Sequence, residues 1–346
     1  MKPLTEEWPG VSYVMPVLNE APYLRESVEA ILKQDYPGER EIILAVAPSN
    51  DGTDELAAEL AEDHPQVKVV PNPGRDIPRG LNLAICTSRH PVIIRVDAHS
   101  ELMDDYTRIG IATLKRTGAA NVGGLMRAHG KSPFQYAVAQ AYNSPIALGG
   151  GQYHSGTVEG PCESAYLGIF RREVLMEVGL FDESIRRGED WELNYRIRRA
   201  GYTVWFTPEL TVTYWPRETP TQLARQFYST GAWRGSLVRS GRRTPLRFFA
   251  PPALVASGVI AAGEVVADRF LPRRVRPYAR IALSGPVAYA AFLAAVSQTA
   301  AARRSRPPQF LLTIAIMHIS WGVGFWSGVL RGAGNTIDTS RLDAEG

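Results

Sequence analysis

The chain has 346 residues, a net charge of +3 and 45% hydrophobic residues, enough for one large domain with an appendage or for two modest ones. The small net charge hides an asymmetry: residues 1–220 carry 22 basic and 30 acidic residues, whereas residues 221–346 carry 16 basic, all arginine, and 5 acidic. Those arginines border three apolar stretches, 248–267, 281–302 and 310–330, each about long enough for a bilayer core of roughly 30 Å, a layout that excludes nucleic acid as the partner and points to a membrane.

Residues 11–17 form an apolar, β-branched run, and Pro22 then opens a helix with Leu24, Val28, Ile31 and Leu32 on one face. Residues 41–47 read as a second buried strand, and the loop 48–52 leads into a helix carrying Leu56 and Leu60. A third strand at 67–70, a helix through 80–85 and a fourth strand at 92–96 follow. This alternation predicts an α/β fold with a mostly parallel central sheet and helices on both faces. Less regular strands are expected at 119–125, 164–170, 202–206 and 211–214, with helices at 172–178 and 190–200. The glycine-rich segment 149–160 has no period.

Residues 221–239 mix Phe227, Tyr228, Trp233 and Leu237 with Arg225, Arg234 and Arg239. That composition suits a helix lying at a membrane interface, or equally an amphipathic helix packed on the domain. The expected organisation is a catalytic domain over 1–220, an interfacial helix and basic linker over 221–247, membrane helices over 248–331 and a polar tail over 332–346. The loop 268–280 carries five arginines, and keeping it on the cytoplasmic side favours two spans, 281–302 and 310–330. Pro251, Pro252, Gly258, Gly263 and Glu264 make 248–267 the weakest span. The polar start has no apolar leader, so the first 240 residues are expected on the cytoplasmic side. Cys86 and Cys162 match no metal or redox spacing and read as reduced thiols.

Open α/β sheets bind ligands at the carboxyl ends of their strands. Three polar clusters stand at such ends: Pro16-Val17-Leu18-Asn19-Glu20, Ser49-Asn50-Asp51-Gly52-Thr53-Asp54 and Asp97-Ala98-His99. Each is also compatible with a plain turn or helix cap. Asp97 and His99, two residues apart past a buried strand, suit one divalent ion, Mn²⁺ or Mg²⁺, whose shell the phosphate oxygens of a donor would complete. Further on, Glu189 and Asp190 open a helix, where the dipole keeps a carboxylate ionised and a neighbour such as Glu189 lifts its basicity.

The order of these motifs, with Phe181-Asp182-Glu183 ahead of Gly188-Glu189-Asp190-Trp191-Glu192, resembles the family 2 inverting glycosyltransferases of the GT-A fold, in particular the succinoglycan-type membrane-anchored glucosyltransferases of bacteria. The resemblance covers about residues 10–235. It implies a bacterial inner-membrane enzyme that moves a sugar from a nucleotide diphosphate donor, a UDP-hexose, to a hydroxyl of a lipid-linked or saccharide acceptor. It places Pro16, Asn19, Glu20, Ser49, Asp51, Arg75, Arg79 and Asp97 around the nucleotide sugar. The same resemblance puts Asp97 and His99 on the metal, makes Asp190 the base beside Glu189, and sets Trp191, Gln226, Trp233 and Arg234 on the acceptor or product side.

This chain departs from the family pattern at three points. Ser49 and Asn50 stand where two aspartates are usual, His99 stands where the metal motif usually ends in Asp, and Gln226 is not followed by the Gln-x-x-Arg-Trp element of processive synthases. The last favours addition of a single sugar. Two rival readings are a polyprenyl-phosphate sugar synthase, whose anionic acceptor needs no base, and a non-catalytic membrane subunit that binds nucleotide sugars.

Overall fold

In the computed structural model of the chain, residues 4–144, 156–185, 188–241, 244–272 and 274–332 are described. They fall into two compact units, one built from Met1–Ala128 and Gly151–Trp215, the other from His129–Gly150 and Pro216–Gly346. In chain order the elements begin β1 (Val11–Val17), α1 (Ala21–Leu32), β2 (Arg40–Val46), α2 (Thr53–Asp63), β3 (Val67–Pro71), α3 (Ile77–Thr87), β4 (Val92–Arg95) and β5 (Ser100–Leu102). They continue α4 (Tyr106–Thr117), β6 (Asn121–Ala128), α5 (Pro133–Tyr142), β7 (Gly160–Pro161), β8 (Tyr166–Arg171), α6 (Arg172–Glu177), α7 (Glu189–Arg199) and β9 (Val204–Tyr214). All of these except α5 belong to the first unit.

One nine-stranded sheet runs β3-β2-β1-β4-β8-β6-β9-β5, with β7 paired to β9. The half β3-β2-β1-β4 is parallel throughout, and β8 starts the mixed half by running antiparallel to β4 and β6. Alternate residues of β1 serve opposite layers: Tyr13, Met15 and Val17 join Leu24, Val28, Leu60 and Tyr106, while Val14 joins Leu81, Ile85, Leu175 and Leu193. A strand buried on both faces needs an unbroken apolar run, which is why β1, β2 and β4 are the plainest strands in the sequence. From β1 the chain moves outward to β2 and β3, then returns to β4 on the other side of β1. The carboxyl ends of β1 and β4 therefore flank a topological switch point, where such sheets open a ligand crevice.

Two expectations about the first unit change. The strands expected at 202–206 and 211–214 form one strand, β9, whose pairing with β6 shifts register between Gly123 and Leu125. The irregularity lets Thr207–Leu210 stay in the strand without a break, since Gly124 lies against the Leu210 carbonyl where a Cβ would not fit. Helix α5 groups with the C-terminal unit, where it packs against the last long helix, so the units interleave along the chain.

The second unit continues with α8 (Pro220–Arg239), α9 (Ala250–Ala267), α10 (Arg276–Ala279), α11 (Ser284–Val296), α12 (Ala300–Arg304) and α13 (Pro307–Arg331). Among the described residues, two helical segments are long and apolar enough to cross a bilayer: Leu246–Phe270, which contains α9, and α13. The stretch 248–267, expected to be the weakest span, is thus continuous, because Pro251 and Pro252 sit in the first turn of α9, where proline costs no hydrogen bond. The stretch 281–302 is the one that breaks. Helix α11 stops at Val296, and Thr299 caps the separate α12. The tail 333–346 lies outside the described residues.

Helices α8 and α13 meet through two glycine pairs at four-residue spacing, Gly231/Gly235 and Gly324/Gly328. A Cβ on Gly231 would strike the Trp321 carbonyl, and one on Gly324 the Tyr228 carbonyl, closer than real Cβ atoms come. The backbones touch without side chains between them, the packing that small residues permit when no water drives helices together. Tyr228 and Ser327 add a hydroxyl–hydroxyl bond of 2.9 Å along the same seam. We expect Gly231→Leu to cost about 1–3 kcal/mol by overpacking, measured as thermal unfolding in detergent. Gly258→Leu on α9, where nothing lies within reach of a Cβ, should leave the transition unmoved.

Candidate active site

The three polar clusters predicted at strand ends form one hydrogen-bonded network. Asn19, in the left-handed region at φ 53°, donates its backbone N–H to Ser49 Oγ at 3.1 Å, and its Oδ1 accepts from the Asn50 N–H at 3.1 Å. The Glu20 N–H donates to Thr53 Oγ1 at 2.9 Å, and the Ala21 N–H donates to Asp51 Oδ2 at 3.2 Å. The turn after β2 thus caps the helix that follows β1. Burial lifts the Asp51 carboxyl, but hydrogen bonds from Thr53 and from backbone amides outweigh it and hold the group below its usual range. Pro16, half-buried in β1 opposite Ala45, fixes the start of this corner.

Across the switch point, Glu20 Oε1 lies 2.9 Å from His99 Nδ1. Both side chains are largely buried. With Nδ1 engaged by a carboxylate, Nε2 is the nitrogen a metal would take, the usual way an outer carboxylate orients a ligating imidazole. Among the described residues no three His, Cys, Asp or Glu side chains converge as a ready-made cage. Asp97 and His99 therefore suit an open site of two protein ligands, with the remaining positions left for ligand oxygens.

The centre of the site is a residue that the motif reading passes over. Arg95 closes β4 and is only 5% exposed. Its Nε and Nη2 each lie 3.3 Å from Asp97 Oδ1, and its Nη1 and Nη2 each lie 3.4 Å from Glu189 Oε1. Nη1 also donates to Asp190 Oδ1. The signal was present in the sequence: an arginine inside an apolar strand run must be paired when buried. Burial alone would lower the Arg95 pKa, yet Asp190, Asp97 and Glu189 more than reverse this and hold it firmly charged.

Glu189 and Asp190 reach this point from the first turn of α7. Gly188 precedes them at φ 76°, a conformation glycine adopts without strain. Burial pushes the Asp190 carboxyl up to about 7; Arg95 pulls against this, and Glu189 and Asp97 add to it. Glu189 does raise Asp190, as its position suggested, but burial is the larger cause. Some 27% of the Asp190 side chain still reaches solvent, so a hydroxyl can approach it. Tyr166, at the start of β8, is a second residue the sequence did not single out. Burial, and after it the charge of Asp97, raises its phenol well above the usual range and keeps it protonated.

The remaining sequence candidates stand apart from this network. Arg75, at φ 56°, and Arg79 are exposed in and after the loop following β3. Trp191 stacks on Tyr195 at 5.7 Å along α7. Gln226, Trp233 and Arg234 lie on α8 in the second unit: Gln226 Oε1 accepts from the Tyr142 hydroxyl at 3.3 Å, and the buried Arg234 packs over Trp233 and Phe248. Residues 149–155 of the glycine-rich segment, and Arg187, lie outside the described residues.

Residues 12–179 match the glycosyl transferase family 2 domain. The chain is 31% identical over 320 residues, 92% of its length and 94% of the relative's, to the succinoglycan biosynthesis protein ExoA of Rhizobium meliloti. It belongs to glycosyltransferase family 2. Another relative of this glycosyltransferase is a dolichyl N-acetyl-α-D-glucosaminyl phosphate 3-β-D-2,3-diacetamido-2,3-dideoxy-β-D-glucuronosyltransferase of Methanococcus voltae, 25% identical and covering 67% of this chain and 74% of that protein. Its fold is shared with a mannosyltransferase of Pyrobaculum calidifontis, solved with GDP-Man and Mn²⁺, at a TM-score of 0.57 and 20% identity over 92% of this chain and 89% of that one. The sheet is accordingly the GT-A sheet expected from the motif order.

A carboxyl raised to about 7 is ionised above that pH, and only a transfer that draws a proton onto Asp190 would follow that ionisation. We therefore expect kcat/KM for transfer to climb about tenfold per pH unit on the acid side and to level off above neutrality, read as a pH profile of product formation.

Proposed function

We propose that this family 2 glycosyltransferase carries out an inverting, divalent-metal-dependent transfer of a sugar from a nucleotide diphosphate sugar, a UDP-hexose, to an acceptor hydroxyl on a lipid-linked saccharide or cell-surface polysaccharide precursor. The observation that carries this reading is the Arg95 cluster, which sets Asp97 beside the switch point and Asp190 on the opposite side of one guanidinium. Both carboxylates are partly open to solvent.

In this reading the floor of the donor pocket is the tied corner of Pro16, Asn19, Glu20, Ser49 and Asp51, with Arg75 and Arg79 available to a diphosphate. Asp97 and His99 hold the metal. Bound there, a divalent ion supplies positive charge against the diphosphate as it departs. Asp190 takes the proton of the acceptor hydroxyl, whose oxygen attacks the anomeric carbon from the face opposite the leaving diphosphate. A bond forms to the acceptor oxygen as the bond to the phosphate oxygen breaks, and the configuration inverts. Glu189 keeps Asp190 basic, and Arg95 keeps it oriented. Trp191 on α7 borders the acceptor. The apolar segments 246–270 and 307–331 support anchorage in the bacterial inner membrane, with the catalytic unit cytoplasmic so that it meets soluble nucleotide sugars.

The reading is tested with purified protein and a panel of UDP-, GDP- and dTDP-sugars. Excess EDTA should abolish transfer, and Mn²⁺ should restore it at least as well as Mg²⁺; activity unchanged in EDTA would return Asp97 to a turn residue. Asp190→Asn should keep nucleotide affinity within about threefold while transfer to a hydroxyl falls by about 10²-fold or more. Near-normal transfer by that variant would move the reading to a lipid-phosphate acceptor, which needs no base.

A further inference from the structure

We propose that Arg95 is a positioning residue that joins the two halves of the reaction, bridging the donor-side carboxylate Asp97 to the acceptor-side base Asp190 and competing with the divalent ion for Asp97. The inference rests on the metal-dependent reading above. Arg95 is buried, and its planar fork meets three carboxylates from two elements that lie far apart in the chain: Asp97 past β4, and Glu189 and Asp190 on α7. The Phe181 ring lies 6.0 Å from the guanidinium carbon. Phe181 is itself pinned to α3, its N–H donating to Asn82 Oδ1 at 2.9 Å while Asn82 Nδ2 donates back to the Phe181 carbonyl at the same distance. The bridge is therefore braced against swinging away.

Charge makes the bridge more than a structural tie. Three carboxylates surround one guanidinium, so with all three ionised the cluster carries two negative charges more than it balances, in a place where unbalanced charge is costly. A divalent ion supplies the missing charge. Arg95 and that ion draw on the same group, since Asp97 Oδ1 is the oxygen both Nε and Nη2 address. Removing the guanidinium should accordingly tighten the ion while loosening the base. A residue that only supports the fold would weaken both.

The test uses the full chain in detergent with Arg95→Lys and Arg95→Met, Mn²⁺ binding being read in the presence of UDP from the loss of the free-ion paramagnetic resonance signal. Arg95→Lys keeps a charge in the strand but cannot span both carboxylates, and it remains informative if Arg95→Met does not fold. We expect Mn²⁺ to bind at least as tightly to both variants as to the wild type, with kcat down about tenfold in Arg95→Lys and about 10²-fold in Arg95→Met. In an Asp190→Asn background, Arg95→Lys should cost less than about twofold more, because the group it positions is already gone. Loss of Mn²⁺ affinity in step with kcat, or wild-type kcat in Arg95→Lys, would overturn the proposal. If the wild type itself binds no Mn²⁺, the metal reading falls alone; additivity of Arg95→Lys with Asp190→Asn then overturns the positioning role, and non-additivity sustains it.

Discussion

A permanently charged guanidinium at the end of a strand buried on both faces is the constraint to which the catalytic unit answers. Arg95 cannot shed its proton and cannot reach bulk water, so carboxylates must come to it. Two arrive on the first turn of α7, which has to begin at this spot, and one arrives two residues downstream. The sheet order, the start of α7 beside Arg95 and the pinning of Phe181 by Asn82 all serve the same need.

The other half of the crevice is built on different physics. There the ties are hydrogen bonds between turn positions, most of them given by backbone amides, and no cation stands among them. Asn19 adopts a left-handed conformation open to few side chains, and from it both its amide and its side-chain oxygen reach the neighbouring turn. Asp51 holds two backbone amides and is committed to ionisation by them. A pocket floor tied this closely does not have to be ordered by its ligand, so the conformational cost of association is already met in the free protein.

What the sequence made legible follows from range. β1 to β4 are apolar runs bounded by polar turns, and the clusters at 16–20, 49–54 and 97–99 each sit within a few residues of a strand end, so period and spacing were enough. The partnership of Arg95 with Glu189 and Asp190 spans more than ninety positions and depends on the return of β8 beside β4, which no local pattern encodes. The same holds for α5, which buries Ala137, Val138 and Ala141 within the second unit and packs on a partner helix more than 160 residues downstream. The break within 281–302 has a local cause, the polar Ser297-Gln298-Thr299, that average apolarity conceals. The prolines of α9 mislead for the opposite reason, since composition counts them and position excuses them.

The glycine seam between α8 and α13 restricts how the second unit can move. Each glycine faces a backbone carbonyl of the other helix, and the residues beside it, such as Thr230, Arg234, Val323 and Phe325, all carry side chains. Sliding one helix along the other by a single residue, about 1.5 Å, would bring those side chains against backbone with no room to accept them. A piston stroke of one helix past the other is therefore barred. The pair can travel only as one body, or come apart.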